Sequence, residues 1–379
     1  MKRRDLLKGA AIAAAGAGAL ALGACGKKEE EAAVDKVAAP AVVKGMRELK
    51  MVTTWPKNFP GLGTGAQRLA DTITAMTGGE LTVKLYAAGE LVPAMESFSA
   101  VSGGNADMYH GAEYYWQGKH KAFNFFTAVP FGLTAAEMDA WLNFGGGQPL
   151  WDELAAQFNL KSFAAGNTGV QMGGWFNKEI NTLEDYKGLK IRMPGLGGEV
   201  LRRIGASAVT LPGGEIFPSL QSGAIDATEW VGPWNDLAFG FYKVTKFYYY
   251  PGFHEPGSTL SCGINKTVWD SLSADHQAIV SGACQAENNR MFSEFNAKNS
   301  DSLDTLINEH GVQLREFNEE VWDAFGDAAE EVFAETRDHS PLAAKINDAY
   351  QSAMREIGGW RAIAEIEFTK QRNRILGIG

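Results

Sequence analysis

The chain has 379 residues, and its 35 Lys and Arg against 45 Asp and Glu give a formal net charge of −10. Its length exceeds a single typical hydrophobic core and predicts two domains. An acidic chain lacks the positive surface that nucleic-acid binding requires, which argues against that class of function.

The first residues indicate export from the cytoplasm. The pair Arg3-Arg4 precedes an apolar run rich in Ala and Gly that extends to Ala24. This order is typical of a twin-arginine export signal, and the run is too short and too weakly apolar for a stable membrane helix. We therefore predict that residues 1–24 are an export signal and that the mature protein is periplasmic. Residues 1–24 carry four basic side chains and one acidic side chain, so removing them changes the net charge from −10 to −13.

A lipid-attachment motif follows the export signal. The string LGAC ending at Cys25 resembles a bacterial lipobox, in which Cys25 receives lipid and becomes the new N-terminus. Ordinary cleavage near Ala24 is the alternative. Residues 25–46 are charged and rich in Ala without apolar periodicity, which predicts a flexible tether.

Strands and helices alternate from the start of the mature region. Short apolar and β-branched runs predict strands, and apolar residues at helical spacing predict helices. The predicted elements are a strand at 49–55, a helix at 65–76, a strand at 81–87, a helix at 94–101 and a strand at 106–111. This alternation argues for parallel sheets flanked by helices, whose ligand sites gather at the carboxyl ends of strands.

A second series of strands precedes a helical C-terminal part. The predicted elements are strands centred on 162–165, 170–176, 190–192, 208–211 and 226–230, with a helix at 199–204. From 271 to 370 the chain is predicted to be dominantly helical, with amphipathic stretches at 274–309 and 319–337. The whole pattern predicts a two-domain α/β body that is closed by C-terminal helices.

Several strings of this chain resemble one family of transport receptors. They are KGLKIRMPG at 187–195, VTLPGGEI at 209–216, LQSGAIDATEW ending at Trp230, and GELVPAMESFSAVSGGNADM at 89–108. Together they resemble the DctP-type solute receptors of TRAP (tripartite ATP-independent periplasmic) transporters, over nearly all of the chain after the tether. The strings GNTGVQMGGWF and ATEWVGPWND are similar to the branch that binds 2-oxo or 2-hydroxy monocarboxylates together with a cation.

The resemblance implies an α/β, two-lobed periplasmic-binding-protein (Venus-flytrap) fold with mixed sheets, a hinge and C-terminal helices. The ligand would be enclosed between the lobes and passed to the membrane subunits of a TRAP transporter, without a catalytic step. The predicted division is a first lobe at 47–165, a second lobe at 166–256, a return segment with shared helices at 257–340, and a helical extension at 341–379.

Arg192 and Glu229 are the central residues of the expected site. Arg192 ends a predicted strand, where its guanidinium offers paired donors that match a carboxylate, and the resemblance implies that it anchors the ligand carboxylate. Without the resemblance, a surface ion pair is the ordinary interpretation of such an arginine. A carboxylate such as Glu229 would repel an anionic ligand unless a cation lay between them. The resemblance assigns the Glu229 carboxylate, the Gln171 amide oxygen and the Trp230 backbone carbonyl to that cation, with sodium or calcium as candidates.

Alternatives stay open for these residues. Glu229 could form a salt bridge to Arg192 that closes the cleft without a metal, and Gln171 could satisfy buried backbone groups. Tyr115 is a further candidate ligand contact, with Trp175 and His254 behind it, although most aromatic residues of such a chain serve as core or hinge packing.

Catalytic motifs do not stand out in the sequence. It contains no nucleophile elbow, no HExxH and no CxxC pair. Cys262 and Cys284 have no metal-type spacing and could form a disulfide or remain two buried thiols. An exported metal-dependent lyase that acts on a small organic acid with the same residues is the competing function, and a structural or adhesive lipoprotein is the third.

The segment 341–375 carries apolar residues at helical spacing, which are Leu342, Ile346, Tyr350, Met354 and Ile357. Such a stripe either docks against a partner or packs back across its own lobes. The resemblance implies a dimerisation arm, and we therefore predict a homodimer through this helix.

Overall fold

The computed structural model describes residues 46–378. The predicted export signal at 1–24, the lipid-site Cys25 and residues 25–45 of the predicted tether lie outside the described residues. Within residues 46–378, no helix has the length and apolar character that crossing a membrane requires.

Eleven strands and twelve α-helices are found in the described part of the chain. The strands are β1 (Arg47–Thr53), β2 (Leu81–Tyr86), β3 (Met108–Gly111), β4 (Leu160–Asn167), β5 (Gly174–Phe176), β6 (Lys190–Arg192), β7 (Ser207–Val209), β8 (Ala227–Thr228), β9 (Phe247–Tyr250), β10 (Thr259–Asn265) and β11 (Gln313–Glu316). The helices are α1 (Leu62–Met76), α2 (Ser97–Ser102), α3 (Ala135–Phe144), α4 (Gly147–Ala156), α5 (Gly195–Arg203), α6 (Gly213–Ser222), α7 (Pro233–Phe239), α8 (Lys266–Asp270), α9 (Ala274–Asn308), α10 (Glu319–Arg337), α11 (Pro341–Arg361) and α12 (Glu367–Leu376).

The strands form two mixed sheets. The first has the order β2-β1-β3-β10-β4, and the second has the order β11-β9-β5-β8-β6-β7. In the first sheet β1 pairs in parallel with β2 and β3, while β10 runs antiparallel to β3 and β4. In the second sheet β6 pairs in parallel with β7 and β8, while β5 is antiparallel to β8 and β9. The predicted α/β class with mixed sheets is thereby confirmed.

Side-chain caps define the starts of the long C-terminal helices. Ser273, Asn318 and Ser340 each accept a hydrogen bond from a backbone N–H in the first turn of α9, α10 and α11, which satisfies a donor that the helix itself leaves free. The 35-residue α9 packs against α1 and β4 of the first sheet and against α7 beside the second sheet. This helix therefore connects the two halves of the structure.

Four predicted elements differ from the structure. The strand predicted at 170–176 is reduced to β5, and the strand predicted at 226–230 is reduced to the two residues of β8, so that Glu229 and Trp230 lie in the loop after it. The region predicted to be dominantly helical contains β11, which pairs in parallel with β9 at the edge of the second sheet. The predicted helix at 94–101 begins as a 3₁₀ turn and continues as α2.

The C-terminal helical segment is buried in its first part and exposed in its last part. Ile346 and Tyr350 are fully buried in α11, and Leu342, Met354 and Ile357 pack against the same core. The stripe named from the sequence thus packs back onto its own chain. Beyond it, a π-helical turn at Ala362–Ile366 leads into α12, and this stretch exposes apolar side chains, among them Trp360, Ile363, Ile366, Phe368 and Ile375.

The two cysteines of the described region, Cys262 in β10 and Cys284 in α9, are both buried free thiols. The hydrogen bond with Cys262 and, after it, burial raise the pKa of Cys284 well above its ordinary value. The sulfurs therefore belong to the packing between β10 and α9 and not to a disulfide in this structure.

Candidate ligand and cation site

Two neighbouring parallel strands bring Arg192 and Glu229 together. Arg192 is the last residue of β6 and is paired in register with Thr228, the last residue of β8, so Glu229 follows directly at the same sheet edge. The backbone N–H of Glu229 donates to the Arg192 carbonyl over 3.1 Å. Because carboxyl ends of parallel strands gather ligand sites, this edge is where a binding site is expected.

The Arg192 guanidinium is fully buried and contacts several groups. Nη1 donates to the Glu229 carbonyl at 3.0 Å and forms an ion pair with Glu229 Oε1. Nε donates to the Leu211 carbonyl at 3.3 Å, and Nη2 donates to the Tyr115 hydroxyl at 3.4 Å. The guanidinium also lies 5.1 Å from the centre of the Trp230 ring. The salt bridge weighed from the sequence is therefore present, with Tyr115 and Trp230 beside it.

The surroundings of Arg192 and Tyr115 determine their protonation states. Burial lowers the pKa of Arg192, but the Glu229 carboxylate and the nearby tyrosines raise it, and the pKa ends above its ordinary value. Burial raises the pKa of Tyr115 to about 12. The guanidinium thus stays charged and the phenol keeps its proton, so both can donate to an anionic ligand.

Gln171 is linked to this group of residues by hydrogen bonds to Glu255. The Gln171 amide donates from Nε2 to Glu255 Oε2 at 2.8 Å and to Thr168 Oγ1 at 3.1 Å, and its backbone N–H donates to the Glu255 carbonyl at 3.0 Å. These bonds fix which end of the amide is the acceptor. Burial raises the pKa of Glu255 to about 7, and the Glu229 carboxylate adds to the shift.

Three buried oxygens in this region have no hydrogen-bond partner among residues 46–378. They are Gln171 Oε1, Glu229 Oε2 and Glu255 Oε1, and we call them the open acceptors. His254 Nε2 lies 3.5 Å from Glu229 Oε2, and ligand atoms of Glu229, His254 and Glu255 all lie within 4.8 Å of one another. Buried acceptors without a donor are costly unless a positive group satisfies them. An oxygen-rich set of this kind suits a hard cation such as sodium or calcium.

Asp236 supports the loop that carries Glu229 and Trp230. Its carboxyl accepts from the Tyr248 hydroxyl at 2.6 Å, from Trp175 Nε1 at 3.0 Å and from the Val231 N–H at 3.3 Å. Burial raises the pKa of Asp236 to about 7. Trp175, a minor candidate from the sequence, thus stacks on Tyr248 and contacts the loop of Glu229 and Trp230 through Asp236.

A cavity of about 480 Å³ lies between loops that follow strands of the first sheet and the start of α6. Thr54 and Met95 line it after β1 and β2, and Pro212 and Gly213 line it at the start of α6. A Cβ atom at Gly213 would lie 2.7 Å from the Trp230 ring, so the close approach of α6 to this tryptophan requires glycine. Gly213 is thus the residue that separates this cavity from the Trp230 ring.

The structure therefore brings Arg192, Glu229, Tyr115 and Trp230 into direct contact and joins Gln171 to them through Glu255. Sequence reasoning missed Glu255 as a site residue. The available signal was its position next to His254, since an adjacent imidazole and carboxylate are both ligand-forming groups, but no spacing motif marked them.

Comparisons with known proteins agree on one family. The family model described as DctP, bacterial extracellular solute-binding protein, family 7, matches residues 51–339. A monocarboxylate 2-oxoacid-binding periplasmic protein of Nostoc sp. is 38% identical over 370 residues, covering 97% of this chain and 98% of the relative.

Solved structures give the same result. A TRAP periplasmic solute binding protein from Pseudoalteromonas atlantica, with bound sodium and pyruvate, is 40% identical with a TM-score of 0.83, over 85% of this chain and 98% of that chain. A TRAP transporter solute binding protein from Bordetella bronchiseptica, a mixed-occupancy dimer with calcium and picolinate in one site, is 33% identical with a TM-score of 0.86, over 88% of this chain and 99% of that chain.

Proposed function

Because this chain belongs to the DctP family, family 7 of the bacterial extracellular solute-binding proteins, we propose that it is the receptor of a TRAP transporter that binds a small 2-oxo monocarboxylate together with a cation. The observation that carries the proposal is the buried Arg192 beside the three open acceptors, at the shared edge of β6 and β8. The relatives that bind pyruvate or 2-oxoacids support the choice of ligand class.

Each residue has a distinct role in this proposal. Arg192 and the Tyr115 hydroxyl bind the ligand carboxylate, and the Trp230 ring covers it. The cation, sodium or calcium, joins the ligand oxygens to Glu229, Gln171 and the Trp230 backbone carbonyl. Gln171 presents its amide oxygen because Glu255 holds the amide nitrogen. The salt bridge between Arg192 and Glu229 is then part of the site and not an alternative to it.

The family consists of solute receptors, so the competing prediction of a metal-dependent lyase has no support and the chain is not an enzyme. Its two mixed sheets form the two-lobed fold of the family. We place the lobes at 47–165 and 166–256, with the return segment at 257–340 shared between them.

A thermal-shift and calorimetry screen tests the ligand class. Pyruvate, longer 2-oxo acids and lactate are each added with sodium, with calcium and with neither. We expect 2-oxo acids to raise the melting temperature and to need a cation, because a ligand that binds only the folded state stabilises it by mass action. No binding of any small 2-oxo or 2-hydroxy acid under any cation condition would overturn the proposal. Consumption of the acid would restore an enzymatic function.

The family is extracytoplasmic, which agrees with the predicted periplasmic location. We propose in addition that the twin-arginine signal directs export and that Cys25 is lipidated, with residues 25–46 as the tether. In cell fractionation, Cys25→Ala should move the protein from the membrane to the soluble fraction while pyruvate binding stays intact. Wild-type protein that is already soluble would favour simple cleavage.

The proposed homodimer forms through the exposed part of the C-terminal helix. Trp360 and Ile363 are 68% and 75% exposed, and Phe368 and Ile375 continue this apolar face along α12. Such a large exposed apolar face marks an interaction surface in a soluble receptor. A second copy of the chain is its proposed partner, because a relative of similar structure is a dimer.

A further inference from the structure

A second cavity, of about 180 Å³, lies between α3, β4 and α9 and shares no residue with the Arg192 cluster. We call it the α3–α9 cavity. Leu142 and Phe163 give it apolar walls, and Asp139, Gln285 and Asn288 give it polar ones. Its volume equals that of about six water molecules, which is enough for a small organic molecule.

The α3–α9 cavity carries one negative charge that the protein does not balance. Among the described residues that line it, Asp139 is the one charged side chain. Asp139 accepts a hydrogen bond from the neutral amide of Asn288 at 2.8 Å, and no ion pair to it is found between residues 46 and 378. Lys161, beside the Phe163 ring, is already paired with Asp152 at 2.6 Å. Burial raises the pKa of Asp139, and the bond from Asn288 offsets only part of that shift.

Asn288 adds an acceptor next to this carboxylate. Its side chain is 5% exposed, and the bond from Nδ2 to Asp139 fixes the amide so that Oδ1 is the acceptor. In the described part of the chain, Asn288 Oδ1 has no hydrogen-bond partner. A buried acceptor without a donor is costly, so this end of the cavity favours a group that carries a positive charge and more than one N–H.

We propose that the α3–α9 cavity binds a small aliphatic primary ammonium compound, with its ammonium group on Asp139 and Asn288 Oδ1 and its carbon chain on Leu142 and Phe163. An ammonium group has three donors, so it can satisfy both oxygens while it neutralises the carboxylate. The carbon chain gains by leaving water for the apolar wall. A hard metal ion fits this cavity less well, because it needs six to eight oxygen ligands and the cavity offers one carboxylate beside an apolar wall.

The cavity is a site separate from the one that binds the acid under the proposed function. Its lining comes from α3, the start of α4, β4 and α9, whereas Arg192 and Glu229 lie at the ends of β6 and β8. The inference therefore does not depend on which acid the receptor binds.

Saturation-transfer NMR and calorimetry with n-butylammonium chloride, at constant ionic strength, test the inference. The matched control ligand is n-butanol, which has a similar shape and an uncharged hydroxyl. Asp139→Asn keeps the shape of the side chain and removes its charge, and Ser281→Leu fills the cavity from α9 while Asp139 stays in place. Asp71→Asn is the control variant, because the exposed Asp71 of α1 also accepts a hydrogen bond from a side-chain amide, that of Gln67 at 2.9 Å.

We expect wild-type protein to bind n-butylammonium with a dissociation constant at or below about 1 mM and n-butanol at least about tenfold more weakly. Asp139→Asn and Ser281→Leu should each weaken n-butylammonium binding at least about tenfold, with Asp71→Asn unchanged. Saturating pyruvate should change that affinity less than about threefold, because the two sites share no residue. The absence of saturable binding up to about 10 mM would overturn the inference. Equal binding of the two ligands, an unaltered affinity in Asp139→Asn, or displacement of n-butylammonium by pyruvate would also overturn it.

Discussion

Arg192→Lys keeps the positive charge of the site but replaces a planar fork of donors with a single nitrogen. The guanidinium donates to the Glu229 carbonyl at 3.0 Å, to the Leu211 carbonyl at 3.3 Å and toward Tyr115 at 3.4 Å. An ammonium can retain the pair with Glu229, but it cannot also span these positions and grip both oxygens of a ligand carboxylate. Loss of one charged hydrogen bond costs about 1.5–3 kcal/mol. The dissociation constant for pyruvate should therefore rise about 10- to 100-fold.

Calorimetric titration with pyruvate, in the cation that binds best, measures this change. Arg68→Lys serves as the matched control, because Arg68 is half-buried, lies between α1 and α9, and pairs with Glu287 and Glu294 at 2.7 and 2.8 Å. It should change stability without changing affinity. A folded Arg192→Lys protein with a dissociation constant within about threefold of wild type would refute the role of the guanidinium as a two-donor anchor.

Three further perturbations test other parts of the structure. Glu229→Gln should weaken pyruvate binding and reduce its dependence on added cation, and an equal loss with and without cation in calorimetry would mean that Glu229 serves only the salt bridge. Burial raises the pKa of Glu113 from 4.5 to about 7, so the stability it contributes below pH 4.5 is lost as the pH rises to about 7. Glu113→Gln should remove up to about 3 kcal/mol of that decline in urea unfolding at pH 5 and pH 8, and an unchanged pH dependence would contradict this. A chain that ends at Gly359 should be monomeric in light scattering and still bind pyruvate. A chain that ends before Ser340 should not fold, because it lacks the buried Tyr350. If the chain that ends at Gly359 is still a dimer, the exposed apolar face from Trp360 onward is not the dimer interface.

The fold was predictable wherever one short stretch of sequence decides the local structure. The strand at 190–192 was predicted with its observed bounds, because an apolar residue between polar ones precedes a turn at Pro194. The strand β11 could not be found in this way. Its sequence, Gln313–Glu316, is polar and lies between two long amphipathic helices, so pairing with β9 and not its own propensity makes it a strand.

The site was predictable only in part, for the same physical reason. Arg192 and Glu229 stand at ends of strands, where sequence position indicates a common edge. Glu255 meets Gln171 across 84 positions of the chain, and no local pattern records that contact. The apolar spacing of the C-terminal helix correctly predicted an apolar face that packs against another surface. It could not show that Tyr350 and Ile346 are buried against the same chain while Trp360 is exposed.

The buried charges make acid binding and cation binding depend on each other. An acid that entered alone would add a negative charge beside Glu229 and Glu255, and a cation that entered alone would face Arg192 without the ligand oxygens that complete its shell. Each ligand therefore supplies what the other lacks, and the closed arrangement around Arg192 is best stabilised when both are present. Because such coupling is reciprocal, the factor by which calcium lowers the dissociation constant for pyruvate must equal the factor by which pyruvate lowers that for calcium. A calcium concentration that saturates the site but leaves the dissociation constant for pyruvate unchanged would show that the two ligands bind independently, and a single closed arrangement stabilised by both would then be excluded.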